Sequence, residues 1–170
     1  MNPFRRFFIM QSSAVAALSI GGASDAQPSG DACSGSAQRL ARNKQTVHDF
    51  YDLAFNQSKP AEAIARYAGA TYIQHNAEVK DGKQGFIDYF NGMGKRYGSD
   101  GKGKRVEFKR TVAEGDLATV HCRHSFRERH GDTVWAGIDI FRLNAEGKIV
   151  EHWDVLQKVA GDSANGNGVF

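Results

Sequence analysis

Residues 137–157, Gly-Ile-Asp-Ile-Phe-Arg-Leu-Asn-Ala-Glu-Gly-Lys-Ile-Val-Glu-His-Trp-Asp-Val-Leu-Gln, constrain the fold of this chain more than any other stretch. Apolar and polar residues alternate on both sides of Asn-Ala-Glu-Gly, which is the period-two pattern and turn chemistry of two antiparallel strands. With Leu143 paired to Lys148 across the loop, Asp139 faces His152 and Asp154 faces Gly137. The three polar side chains then share one face with Trp135, Phe141, Val150 and Leu156. Ionisable groups set among apolar ones are the usual composition of a small-molecule site.

The rest of the chain supplies a layer for that hairpin to pack on. Residues 37–56 place Leu40, Val47, Phe50, Tyr51, Ala54 and Phe55 largely on one helical face. Pro60 suits the first turn of a second helix running through Tyr67, and Gly69 ends it. Residues 71–75 are a short β-rich segment, Asp81-Gly82 is a turn, and residues 83–93 form a third helix. Residues 94–103 hold four glycines among charges and predict a loop. Strands follow at 106–112 and 117–127, with turns at 114–116 and 130–132, and then the hairpin. Three helices with one early strand, followed by a four-strand meander, predict an α+β domain with helices on a strongly curved antiparallel sheet.

The domain spans residues 37–160. Residues 1–26 are an export signal, because Arg5-Arg6 precedes an apolar run and Ser24-Asp25-Ala26 offers small residues for cleavage. Arg5-Arg6 before Phe7-Phe8 resembles the bacterial twin-arginine signal. The expected location is periplasmic or secreted, with no stable membrane span after cleavage. Residues 27–36 predict a flexible linker and residues 161–170 a disordered tail. A formal net charge of +3, without aromatics interleaved among the basic residues, argues against nucleic acid as a partner. The two cysteines, Cys33 and Cys122, permit one disulfide in an oxidising compartment but form no framework. No Cys-x-x-Cys or His-Glu-x-x-His spacing is present, so no metal site is expected.

Asp139, between Ile138 and Ile140, is costly to bury unless it is paired, hydrogen-bonded or protonated. An Asp139–His152 pair serves either as a structural contact or as a proton-transfer pair. Asp154 poses the same problem two residues after His152. Alternation in 117–127 places His121, Arg123 and Ser125 on one face and Val120, Cys122, His124 and Phe126 on the other. The buried-type neighbours of His121 favour an inward imidazole for it. His75 closes the first strand, where side chains often line a cavity mouth.

The segments Thr-Tyr-Ile-Gln-His-Asn at 71–76, Asp81-Gly82 with Gly85-Phe86, Val120-His121, Ile-Asp-Ile-Phe-Arg at 138–142, Gly-Lys-Ile at 147–149 and Glu-His-Trp-Asp-Val-Leu-Gln at 151–157 resemble the SnoaL-like polyketide cyclases of the nuclear transport factor 2-like superfamily. The resemblance implies a cone-shaped α+β barrel enclosing one pocket, often as a homodimer. It implies cofactor-free acid/base chemistry, an aldol-type cyclisation or an isomerisation, on a carbonyl compound. Asp154 would be the general acid/base, with Asp139 and His152 tuning it. His75 and His121 would bind the ligand, joined by Arg123, Trp135 and Phe141. Two other readings stand beside this one: a non-catalytic periplasmic protein that binds a small apolar ligand, and an epoxide hydrolase, which needs an Asp-Arg-Asp arrangement that Arg123 would have to complete.

Overall fold

The computed structural model describes residues 30–97, 104–128 and 131–170. The proposed export signal, the start of the linker and part of the glycine-rich loop lie outside these residues. Three α-helices, α1 (Gly30–Tyr51), α2 (Pro60–Tyr67) and α3 (Gly82–Tyr97), pack on a sheet of β1 (Ala68–Gln74), β2 (Lys104–Glu114), β3 (Leu117–Glu128), β4 (Gly131–Leu143) and β5 (Ile149–Lys158). The strand order is β1-β5-β4-β3-β2, so the sheet has two open edges and does not close. The meander is antiparallel, as its alternation predicts. β1, however, pairs parallel to β5, which makes the sheet mixed rather than antiparallel throughout. The chain between them, α3 followed by the three strands β2, β3 and β4, supplies the long crossover that parallel pairing needs. Among the described residues no helix is long and apolar enough to cross a membrane.

The helices follow their apolar spacing. Asn43, Val47, Phe50 and Tyr51 are the buried residues of α1 among those whose burial is described, one face at helical period. The helix begins at Gly30, inside the segment 27–36 expected to be flexible, and its first side chains up to Arg39 are exposed where they are described. After Tyr51 the backbone widens into a π-helical turn, Asp52–Asn56, which buries Leu53, Ala54 and Phe55 in succession. Asn56 fixes this turn to the sheet, accepting from the backbone N–H of Val106 at 2.8 Å and donating to its carbonyl at 3.1 Å. α3 runs on to Tyr97, into the segment expected to be loop.

The hairpin register differs from the expected one. Asn144 N–H bonds to the Lys148 carbonyl at 2.9 Å, and Gly147, at φ +77°, closes the loop in a conformation glycine favours. Leu143 then pairs with Ile149 and Arg142 with Glu151, which leaves Val150 as an extra residue. This bulge turns Ile149 fully into the core and leaves Val150 half-buried, reversing the expectation for Val150. Below it Phe141 faces His152 and Asp139 faces Asp154, displacing the expected partners by two residues. A shift of two preserves the faces. Asp139, His152 and Asp154 therefore stay together on the inner side.

The core lies between the inner sheet face and the helices, with Phe50, Phe86, Phe141 and Ile149 among its fully buried side chains. The tail, residues 161–170, has irregular backbone, yet its last residue is placed. The Phe170 ring lies over His121 on the outer sheet face, with centroids 5.7 Å apart.

Candidate functional site

Asp139 is the centre of the inner face, 1% exposed on a strand buried at Gly137, Phe141 and Leu143. Tyr51, the last residue of α1, donates its hydroxyl to Asp139 Oδ1 at 2.5 Å. The same hydroxyl oxygen is 3.1 Å from His152 Nε2, and that nitrogen is 3.4 Å from Asp139 Oδ1. On the other side His124 Nε2 is 3.9 Å from Asp139 Oδ2. Burial pushes the Asp139 carboxyl up, but His124 and His152 outweigh it and hold the carboxyl well below its usual range. Burial, together with the Asp139 charge, drives the Tyr51 hydroxyl far above the usual tyrosine range, so Tyr51 remains a donor.

Hydrogen-bond valence fixes the orientation of His152. The Asn76 backbone N–H donates to Gln74 Oε1 at 2.9 Å, which identifies that atom as the amide oxygen. His152 Nδ1, 3.0 Å from the same oxygen, must therefore carry hydrogen. Tyr51 has one proton and gives it to Asp139.

Asp154, directly across from Asp139 in the ladder, is held differently. It is half-buried, and both of its carboxylate oxygens accept from Asn76 Nδ2 at 2.8 Å. Tyr72, 3% exposed, sits near both carboxylates. Burial first, then the charges of Asp154 and Asp139, push its hydroxyl well above the usual range. Phe141 floors this cluster, with its ring centroid 4.7 Å from His152 and 5.1 Å from Tyr51.

Three expected site residues lie elsewhere. His121 points to the outer face, 3.0 Å from Arg110, and Arg123 lies beside it, donating to Ser125 at 2.6 Å and to Glu107 at 3.4 Å. The inward residues of β3 are Val120, Cys122 and His124. Burial of both neighbours of His121 sends His121 the other way, because a strand alternates. His75 also faces outward, stacked on Trp153 at 4.8 Å and bonded to Glu151 at 2.9 Å. Trp135 lies on the inner face of β4, half-buried and paired in register with His124.

The inner residues that the sequence did not single out are Tyr51, His124, Tyr72, Gln74, Asn76 and Lys104. Lys104 is half-buried as a whole, but its ammonium lies 3.6 Å from the Phe55 ring centroid and 4.2 Å from that of Phe90. Burial pushes its pKa down to about 7, with the Asp139 charge opposing. For His124 a signal existed in the strict alternation of Val120, Cys122 and His124. For Tyr51 the only signal was helical phase, which marked it as core.

Three helices over a bent, mixed sheet, with polar groups gathered beneath the helices, define an α+β cone of the nuclear transport factor 2-like kind. Residues 47–152 match the SnoaL-like domain, and the chain belongs to that family. Among solved structures, TsrD from Streptomyces laurentii is similar at 21% identity, with a TM-score of 0.58 over 68% of this chain and 88% of that one. A Bacillus cereus protein assigned to the polyketide cyclases gives 18% identity and a TM-score of 0.58 over 68% of this chain and 74% of its own. An epoxide hydrolase of the LEH-like type from M. tuberculosis gives 13% identity and a TM-score of 0.56 over 69% and 84%. These identities establish the fold. No curated protein matches the chain in sequence.

Proposed function

We propose that this chain binds a small carbonyl compound on the inner face of the sheet and moves a proton on it, in an aldol-type cyclisation or an isomerisation. One observation carries the reading: two carboxylates face each other across β4 and β5, and they are held by different partners at different depths. Asp139 is locked by Tyr51 and His152 and stays ionised, whereas Asp154 is half-buried and held by Asn76 alone among the described contacts. Asp154 is the group a ligand can reach. As general base it takes a proton from a carbon beside the carbonyl, and the resulting enolate attacks a second carbonyl carbon or is reprotonated at a new position. In the aldol case Asp154 returns its proton to the alkoxide formed. Tyr72, which accepts from Gln74 at 3.4 Å and keeps its own hydrogen, is placed to donate to the enolate oxygen.

The epoxide hydrolase reading loses its arginine, because Arg123 lies on the opposite face from both aspartates. The binding-only reading is separated from the enzymatic one by turnover. Solvent deuterium exchange at the α-carbon of a panel of cyclic ketones and 1,3-diketones tests it. Wild-type protein is expected to exchange a responsive ketone, and Asp154→Asn to lose that exchange while keeping its circular dichroism spectrum. Exchange unaltered in the variant would overturn the assignment.

Two further parts of the proposal rest on residues away from the site. Export to the periplasm rests on Arg5-Arg6 and the apolar run that follows. A homodimer through the outer sheet face rests on family likeness and on Ile138 and Val155, paired neighbours that are 44% and 73% exposed.

A further inference from the structure

The inner face carries a second arrangement that proton transfer by Asp154 does not use. Cys122 and His124, two residues apart on β3, point the same way, and Asp139 of β4 joins them. One donor atom from each of the three lies within 4.8 Å of the others. All are buried, with Cys122 at 0%, His124 at 6% and Asp139 at 1% exposure. His124 Nε2 and Asp139 Oδ2, 3.9 Å apart, are both buried without a hydrogen-bond partner. Buried polar atoms are almost always paired, so two that converge without a partner point to something that binds between them.

The backbone keeps this space open. Gly137 pairs with Cys122 in the ladder, and a Cβ there would stand 2.7 Å from His124 Nε2. The His124 imidazole therefore lies over a position that only glycine leaves vacant. Tyr51 engages Oδ1 of Asp139 and so presents Oδ2 toward His124.

We propose that Cys122 Sγ, His124 Nε2 and Asp139 Oδ2 form a three-ligand site for a borderline divalent cation, with Zn2+ the ion best suited to it. A sulfur, nitrogen and oxygen donor set excludes Mg2+ and Ca2+, which take oxygen, and matches zinc. Zinc bonds of about 2.0–2.3 Å reach all three donors with small closing movements. Binding converts the Cys122 thiol to a metal-bound thiolate and releases one proton to solvent. Three protein ligands leave one tetrahedral position for an oxygen donor. Tyr51 and His152, holding the other carboxylate oxygen, orient the ligand from behind. The absence of a linear zinc motif does not bear on this site, because one donor comes from a neighbouring strand.

Titration of the metal-stripped full chain with Co2+ and then Zn2+ tests the site. One equivalent of Co2+ is expected to produce a thiolate-to-cobalt charge-transfer band that Zn2+ displaces. Cys122→Ser should abolish the band, Cys33→Ser should leave it, and Tyr51→Phe should weaken affinity about 10–100-fold. Cys122→Ala replaces the serine variant if the latter fails to fold. Absence of the band in wild-type protein, its survival in either Cys122 variant, or unchanged affinity in His124→Gln would each overturn the proposal. Asp154→Asn is expected to leave metal affinity within about threefold, so the fate of this site and that of the acid/base reading can be told apart.

Discussion

The two faces of β3 carry similar residue types and use them differently. On the outer face His121 meets Arg110, and Arg123 meets Glu107 and Ser125, in pairs that water reaches. On the inner face Cys122 and His124 converge on Asp139 with almost no solvent, and two of the atoms involved lack partners. A polar residue on the outside can lose its contact to water at little cost. The same residue inside must be held by its neighbours, and the surplus valence there is what a ligand or ion can use. One step in strand parity separates a solubilising histidine from a candidate site.

The largest break in this comparison is expected from Asp139→Ala. Removing the carboxylate strands Tyr51 and His152 in the core and should cost about 3–5 kcal/mol in urea unfolding. A loss below about 1 kcal/mol would mean that the inner network is as dispensable as the outer one. Gly137→Ala comes next, because its Cβ displaces the His124 ring, and overpacking of this kind costs about 1–3 kcal/mol. Arg123→Ala on the outer face is expected to cost no more than about 1 kcal/mol, and less as salt is raised.

The pH dependence of stability sharpens the contrast. The folded Asp139 carboxyl is held below its unfolded value of about 3.9, so its contribution is complete above about pH 4 and is lost as pH falls through the lower folded value. Asp139→Asn should flatten that acid limb. Lys104 acts in the alkaline range. Its folded pKa of about 7 lies below the ordinary 10.5, so the unfolded chain binds more protons between these values and stability rises with pH across that interval. Lys104→Met should remove the rise, which thermal melts from pH 7 to pH 10 would show.

Much of the architecture was legible because period is a local property. The α1 face of Val47, Phe50 and Tyr51 and the alternation of β3, β4 and β5 identify helices and strands without tertiary information. Faces survived the error in hairpin register, since a turn longer by one residue and the Val150 bulge together displaced the partners by two. Parallel pairing of β1 with β5 was not legible, because the crossover direction depends on how the helices pack. In the site, Asp139, His152 and Asp154 were found because aspartates and histidine inside apolar alternation are conspicuous. His121 was placed inward for a reason that argues the opposite, since burial of Val120 and Cys122 requires it to face out. Tyr51, Gln74 and Asn76 were missed because each acts through a contact made across the fold.

Three neutralised carboxylates, close together in the sheet, test the central claim most directly. Asp154 and Asp139 face inward, while Glu151 faces outward to His75 and Arg142. With a ketone that wild-type protein exchanges, α-carbon deuterium exchange should fall at least 100-fold in Asp154→Asn, fall less in folded Asp139→Asn, and stay within about twofold in Glu151→Gln. A loss in Glu151→Gln equal to that in Asp154→Asn, or none in Asp154→Asn, would contradict the assignment of chemistry to the inner face.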